Sequence, residues 1–240
     1  MRNTDILNNI KKNNTQPIFD LISKPDSHIY TNFNFILVCA AQYGCIPLIN
    51  VLIKDDRLNV SNYKDSAFLS ACKYGQTEAV KILLDFPPIQ PSAQQNEAFC
   101  IACKNGHAEV VKLLLLDKRI NPNDQFHLPL RIVSDLGHTN ILKLLLDKKG
   151  IDPSSKNNYA LIHSSINGYI ENVKLLLKNN KVLKGDLKYL AITGAHRHQQ
   201  YEIFNILWKN QYVREELRLK DFESYKLFSK IKTQQNIDNF

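Results

Sequence analysis

The sequence predicts an all-α solenoid of stacked helix-turn-helix units, and three features of the chain lead to this prediction. Glycines recur at a constant spacing of 31 residues, small and large apolar residues recur in fixed columns before them, and an apolar triplet follows each one. A two-helix unit of this length cannot bury its apolar stripe alone. Stacked units bury it against their neighbours on both sides, which is the architecture of a solenoid.

The glycine column marks the turn between the two helices of each unit. Glycine supplies a tight helix-to-helix turn that other residues would strain. The chain has only eight glycines, and five of them stand in this one column: Gly44, Gly75, Gly106, Gly137 and Gly168.

The first helix of each unit ends before the glycine, and two columns define its inward face. The residues four positions before the glycine are small: Ala40, Ala71, Ala102, Val133 and Ser164. The residues seven positions before it are large and apolar: Leu37, Phe68, Phe99, Leu130 and Leu161. This spacing is typical of one face of an α-helix.

The second helix of each unit carries a broad apolar stripe. Its centre is a triplet of aliphatic residues, which occupies residues 51–53, 82–84, 113–115, 144–146 and 175–177. The same columns continue past the fifth glycine, where Gln199 stands in the glycine position and Ile206-Leu207-Trp208 in that of the triplet. The sequence therefore predicts a sixth, degenerate unit.

Divergent segments flank the repeats, as expected because terminal units turn one face to water. We predict a partial N-terminal capping repeat in residues 1–32, six repeats in residues 33–213, and a C-terminal capping helix and tail in residues 214–240. The apolar residues expected to form one covering helix in the tail are Leu217, Phe222, Tyr225, Leu227, Phe228 and Ile231.

The segment EAFCIACKNGHAEVVKLLL, from Glu97 to Leu115, resembles the ankyrin repeat, with Ala102, Gly106 and His107 in the family's places. The resemblance covers about residues 33–213. The chain departs from the family in two ways: the T-P-L-H signature is mostly replaced, with only Pro129 keeping its proline, and the period is two residues short. The resemblance implies a non-catalytic protein that binds protein partners.

Composition and charge bear on the compartment of the chain and on an alternative to protein binding. No secretory signal is visible, and the uncharged stretch of residues 27–53 is interrupted by polar residues and fits the repeat, so no membrane span is expected. We expect a cytoplasmic or nuclear chain with five reduced cysteines. The net charge of +8 keeps a binder of nucleic acid or anionic surfaces as the alternative function.

Candidate catalytic and metal-binding residues receive structural interpretations. Cys100 and Cys103 form a C-x-x-C motif, but Cys103 shares a small, inward-facing column with Cys72, and no second pair completes four ligands. Core packing is the better interpretation. His163 and the other histidines match no catalytic motif and no phosphate loop is present, so we expect no catalytic, cofactor or metal site.

A lysine column on the second helices is interpreted as part of a solvated surface. Its members are Lys81, Lys112, Lys143 and Lys174, and three of the four follow a glutamate by three residues. Such i,i+3 pairs are typical of a solvated helix face. The column therefore disfavours a phosphate track and with it nucleic-acid binding.

The residues at the end of each first helix are informative about function, since packing between repeats does not determine them. In proteins that resemble this one, that position opens onto a concave groove, and exposed aromatic and basic side chains favour protein binding. With the finger loops between units, represented by Phe126, the predicted partner-binding residues are Tyr43, Lys73, Tyr74, Lys104, Asn105, Asp135, Leu136, Ile166 and Phe126. The identity of the partner and the oligomeric state do not follow from the sequence.

Overall fold

A computed structural model describes residues 2–24, 33–55, 60–87 and 89–237, and within these ranges the chain is all-α, with no β-strand. The predicted fold class is confirmed. Side chains of residues 60–65, 94, 95, 124–126 and 235–237 lie outside the description. The chain divides into two compact units, Met1–Asp124 and Gln125–Phe240, each treated separately below.

Unit 1 consists of antiparallel helix pairs, in which the first helices of successive repeats pack side by side and, from residue 46 onwards, the second helices do so as well. Its described helices are α1 (Asn3–Lys11), α2 (Gln16–Ile22), α3 (Phe33–Tyr43), α4 (Ile46–Leu52), α5 (Val60–Lys73), α6 (Thr77–Leu84), α7 (Ala93–Lys104) and α8 (Ala108–Leu114).

Unit 2 continues the alternation and then departs from it near the C-terminus. Its described helices are α9 (Asp124–Leu136), α10 (Thr139–Leu146), α11 (Ser155–Ile166), α12 (Ile170–Leu177), α13 (Asn180–Lys184), α14 (Tyr189–Arg197), α15 (Tyr201–Lys209), α16 (Gln211–Lys220) and α17 (Phe222–Ile237). The columns that predicted the inward faces are buried in both units, with Leu37, Phe68 and Phe99 at most 2% exposed.

The turns between paired helices adopt the left-handed conformation that the glycine column predicts. The five glycines of this column have φ between 67° and 85°. Asn13, 31 residues before Gly44, and Gln199, 31 residues after Gly168, adopt it as well, with φ of 55° and 58°. The turn geometry is therefore repeated even where the residue is not glycine.

Close packing between neighbouring repeats also favours glycine in these turns. A Cβ atom on Gly75 would lie 2.6 Å from Nδ1 of His107, and one on Gly137 would lie 2.4 Å from the ring of Tyr169. In unit 1 the Nε2 atom of His107 also lies 2.8 Å from the carbonyl oxygen of Lys73, at the end of the preceding first helix. Gln76, the residue after Gly75, makes the same kind of bond to the Gln42 carbonyl oxygen at 3.0 Å. His107 and Gln76 thus each tether their repeat to the previous one.

Buried asparagines fix the start of two first helices. Asn96 and Asn158 have φ of 63° and 60°, and their amides donate to the next connection: Asn96 to the Asn121 carbonyl at 3.2 Å, Asn158 to that of Asp186 at 2.8 Å. His127 takes the same conformation. Because regular helix begins only after His127, Pro129 falls in a first turn, where a missing N–H costs nothing.

The prediction of one covering helix in the C-terminal segment is wrong. Two helices, α16 and α17, meet at Asp221, whose φ of −146° and ψ of 74° are not helical. The Asp221 carboxylate accepts the N–H of Ser224 at 3.1 Å and so caps the second helix. Leu217 and Phe228 are buried. The remaining apolar residues include two that are half exposed, Phe222 and Leu227.

None of the helices in the described residues combines the length and the apolar character that crossing a membrane requires.

Candidate protein-binding surface

In unit 1 the predicted residues form a surface of aromatic and lysine side chains at the ends of the first helices. Tyr43 ends α3, Lys73 and Tyr74 end α5, and Lys104 ends α7. Tyr43 is 36% exposed and Tyr74 is 45% exposed, although a solvated helix end requires no apolar bulk. Lys11 joins them from α1, and these five residues are called the aromatic–lysine surface below.

Lysine ammonium groups hold both tyrosine rings of this surface. Nζ of Lys11 lies 5.8 Å from the ring centroid of Tyr43, and Nζ of Lys73 lies 5.5 Å from that of Tyr74. Cation–π attraction at these distances contributes about 0.5–1 kcal/mol at exposed sites. The rings are therefore partly ordered before any partner binds, which reduces the entropy lost on binding.

Asn105, which the sequence predicts as a partner-binding residue, has a structural role in this fold. Its Nδ2 donates to the carbonyl oxygen of Lys73 at 3.2 Å, so the side chain caps the preceding first helix. Asn167 does the same in unit 2, donating to the carbonyl oxygen of Asp135 at 3.1 Å. Asn105 remains exposed, and its contribution to partner binding stays a prediction.

In unit 2 the predicted Asp135 belongs to a compact cluster of four side chains. Tyr159 donates its hydroxyl proton to Oδ2 of Asp135 at 2.8 Å, and Nδ1 of His163 lies 2.9 Å from Oδ1. The rings of Tyr159 and His163 stack with centroids 3.7 Å apart. The Arg131 guanidinium carbon lies 4.8 Å from the Tyr159 centroid. These four residues are called the Asp135 cluster.

The cluster changes the acid–base properties of Tyr159. Burial raises the pKa of its phenol, and the hydrogen bond to Asp135 and the charge of that carboxylate raise it further. The Asp135 carboxylate is thus engaged by its own unit, while the half-buried Tyr159 and His163 rings are held in fixed positions. Repeat register places Tyr159 and His163 four residues apart on the neighbouring first helix, but it does not specify the rotamers that bring them to Asp135.

The other predicted residues of unit 2 differ in how exposed their side chains are. Leu136, at the end of α9, is 44% exposed. Ile166, at the end of α11, packs towards α14, where a Cβ atom on Gly194 would lie 2.8 Å from its Cγ1 atom. The Phe126 side chain lies outside the described residues, while the finger residues Lys156 and Asn157 are exposed.

Of the two cysteines in the motif, Cys103 lies in the core as predicted, whereas Cys100 is half-buried. Cys103 is fully buried, and burial raises the pKa of its thiol well above the ordinary value. Burial likewise raises the pKa of the Cys72 thiol, in the same column. A buried thiol with a raised pKa is a poor nucleophile and a poor metal ligand, since both roles need the thiolate.

The fold and the surface together define a helical repeat protein with non-repeating side chains at its first-helix ends. A model of the family described as ankyrin repeats (3 copies) matches residues 36–126 and 99–188, which together span well over half of the chain. The chain belongs to the ankyrin repeat family. No curated protein matches it as a relative.

Proposed function

We propose that this chain is a non-catalytic protein that binds a protein partner through the aromatic–lysine surface of unit 1. Ankyrin repeats generally serve as protein–protein interaction modules, and the family is typically non-catalytic. The observation that carries the proposal is the exposure of Tyr43 and Tyr74, each beside a lysine ammonium group.

The chemistry of this surface favours a partner with acidic and apolar groups. Lys73 and Lys104 are exposed, and tyrosine and basic side chains are the types that dominate binding energy at protein interfaces. Charge complementarity would select the partner and raise the association rate. In unit 2, the exposed Leu136 and the rings of Tyr159 and His163 offer further contacts, with Asp135 positioning the rings.

The proposal places the chain in the cytoplasm or the nucleus, as a scaffold or adaptor. None of the five cysteines, all of which lie within the described residues, forms a disulfide, which suits a reducing compartment.

The test is a comparison of proteins retained from a nuclease-treated lysate. A variant carrying Tyr43→Ala, Tyr74→Ala and Lys104→Ala is compared with the wild type, after circular dichroism shows that both are folded. We expect quantitative mass spectrometry to find proteins that the wild type retains and the variant loses. A typical interface tyrosine contributes about 2 kcal/mol, so the loss should be at least tenfold.

A matched control removes the same residue types elsewhere: Tyr201→Ala, Tyr212→Ala and Lys209→Ala. Tyr201 and Tyr212 are exposed in unit 2 and do not belong to the aromatic–lysine surface. We expect the control to retain the wild-type partners. Equal losses from both variants, or from neither, would contradict the assignment of the aromatic–lysine surface.

A further inference from the structure

The excess positive charge of this chain is concentrated in unit 2. Residues 1–124 contain 13 basic and 12 acidic residues, whereas residues 125–240 contain 18 basic and 11 acidic residues. Unit 1 is therefore close to neutral at +1, and unit 2 carries +7. The net charge is a property of one part of the chain, and it can be traced to particular elements.

Four exposed lysines mark where this charge accumulates: Lys149, Lys178, Lys181 and Lys184. Lys149 follows α10, Lys178 follows α12, and Lys181 and Lys184 lie on α13. Lys181 connects the two segments, because its Nζ donates to the carbonyl oxygen of Ile151 at 3.4 Å. These residues form the lysine edge of unit 2.

Within the described residues, no acidic side chain forms an ion pair with a member of the lysine edge. Nearby lysines differ: Lys174 pairs with Glu171 at 2.8 Å. In unit 1, Arg119 after α8 pairs with Asp117 at 2.6 Å. The charge of the lysine edge is therefore available to a ligand, whereas Arg119 in the equivalent segment of unit 1 is paired within its own segment.

The acidic groups around the edge reduce its charge only in part. Asp147 and Asp186 are exposed neighbours. Asp152 is already engaged, since it accepts from the backbone N–H and the hydroxyl of Ser154 at 3.1 and 2.7 Å. Burial raises the pKa of Asp152, but the hydrogen bonds from Ser154 and, to a smaller extent, the charge of Lys181 bring it below its ordinary value.

The edge has no apolar component, and this decides between classes of polyanion. All residues from 143 to 188 are described, and none of the large hydrophobic side chains among them is exposed. Protein interfaces are built around apolar and aromatic anchors, and surface-binding membrane segments insert an apolar face. Single-stranded nucleic acids are held by aromatic stacking. Binding to a duplex backbone needs charge alone, and a duplex presents one phosphate charge per about 1.7 Å of its axis, so closely spaced lysines without apolar neighbours favour it.

We propose that the lysine edge of unit 2 binds the sugar–phosphate backbone of a nucleic-acid duplex without reading its sequence. Lys181 and Lys184 are three residues apart on α13, which places their Cβ atoms about 5–6 Å apart, and their long side chains can reach successive phosphates. The second helices begin at the glycine turns, so their far ends carry the edge at the opposite end from Asp135 and Leu136. Duplex binding therefore leaves the first-helix ends of unit 2 free.

The test measures binding of the full chain to a fluorescent 20-base-pair DNA duplex by anisotropy, at 50 to 200 mM NaCl. Four phosphate contacts predict a slope of roughly −3.6 in log Kobs against log salt. A variant with Lys178→Ala, Lys181→Ala and Lys184→Ala should weaken binding at least tenfold at 50 mM NaCl. Its slope should fall to roughly −0.9.

The matched control removes three other lysines of unit 2: Lys143→Ala, Lys174→Ala and Lys209→Ala. The control has the same net charge as the edge variant, and we expect less than a threefold change in affinity. Equal weakening in both variants would mean that net charge alone drives binding and would overturn the proposal. Absence of duplex binding by the wild type at 50 mM NaCl would overturn it too.

Two further probes separate the duplex from other polyanions. Vesicles of phosphatidylcholine and phosphatidylserine present lipid phosphate, and poly-L-glutamate presents an acidic polypeptide. We expect the duplex to bind at least tenfold more tightly than either probe. Equal or tighter edge-dependent binding to the vesicles or to poly-L-glutamate would overturn the assignment to nucleic acid. The aromatic–lysine surface is intact in all these variants, so this test and that of protein binding fail independently.

Discussion

At the scale of single residues, Gln199 is the position where side chain and backbone conflict most plainly. It stands in the glycine column with φ of 58°, a conformation that costs a non-glycine residue about 1–2 kcal/mol. Glycine relieves this strain but gains entropy in the unfolded chain, which offsets about half of the gain. We therefore predict that Gln199→Gly raises the free energy of unfolding by about 0.5–1 kcal/mol, measured by urea denaturation.

The reciprocal substitution serves as the control for this prediction. Gly168→Ala places a Cβ at φ of 85° and 2.8 Å from Oε1 of Gln200, so it should destabilise the chain by about 1–3 kcal/mol. If Gln199→Gly lowered the denaturation midpoint, the left-handed turn in the sixth repeat would not exist in solution.

Tyr159 gives a second residue-scale prediction, in its dependence on pH. Because its pKa is raised in the folded chain, the neutral phenol stabilises the fold below pH about 10, and this contribution is lost as pH rises through the raised pKa. Asp135→Ala removes a hydrogen bond and a negative charge but leaves the ring half buried. We predict a lower Tyr159 pKa in this variant, followed by NMR of tyrosine labelled with ¹³C at Cζ.

The same titration distinguishes a local effect from a general one. Asp147→Ala removes an exposed carboxylate from the same unit and should leave the Tyr159 pKa unchanged. An unchanged pKa in Asp135→Ala would show that burial alone raises it and that the Asp135 cluster does not hold together in solution.

At the scale of helices, α16 is attached to the sixth repeat by a buried ion pair. Lys188 and Glu216 lie 3.1 Å apart with side chains only 7% and 12% exposed. Oε1 of Glu216 also accepts the N–H of Leu187 at 2.7 Å, and Lys188 donates to the carbonyl oxygen of Gly185. We predict that Glu216→Gln costs about 3 kcal/mol by leaving the Lys188 ammonium without a counter-charge.

A double variant isolates the charge effect from the hydrogen bond. Glutamine can still accept the N–H of Leu187, and Lys188→Met removes the orphaned charge. The pair Lys188→Met and Glu216→Gln should therefore be more stable than Glu216→Gln alone, by about 1 kcal/mol in guanidinium denaturation. If the double variant lost as much free energy of unfolding as the two single variants together, Lys188 and Glu216 would not be coupled.

Sequence columns predicted the helix pairs because every repeat must bury the same stripe in the same register. They failed where local polar chemistry overrides the repeat. Asp221 breaks the C-terminal helix by capping a new one. Buried Asn172 stands in an apolar column and is accommodated by the Thr139 hydroxyl, which donates to its Oδ1 at 2.7 Å. Helix α13 has too few residues to show a period.

The exposure of residues in the candidate site could also be predicted from their column, whereas the contacts between their side chains could not. Exposure of Tyr43, Tyr74 and Leu136 followed from a column that packing does not determine. Contacts between neighbouring first helices, such as those of Asp135 with Tyr159 and His163, depend on the rotamers of several side chains. Periodicity alone does not specify those rotamers.

At the scale of the whole molecule, the uneven charge has a consequence for stability. Unit 2 carries 18 basic and 11 acidic residues within 125–240, and its exposed lysines repel one another when salt does not screen them. Each pair of like charges costs a few tenths of a kcal/mol. A surface kept basic for a polyanion would therefore weaken the fold that supports it.

We therefore predict that NaCl stabilises the chain and that removal of the lysine-edge charges makes the stabilising effect of salt smaller. The wild-type Tm should rise between 20 and 500 mM NaCl. The variant Lys178→Ala, Lys181→Ala, Lys184→Ala should melt about 2–4 °C above the wild type at 20 mM NaCl, with a smaller rise in salt, measured by circular dichroism. Equal melting temperatures at low salt would show that these lysines are too far apart to repel one another and too far apart to hold one duplex together.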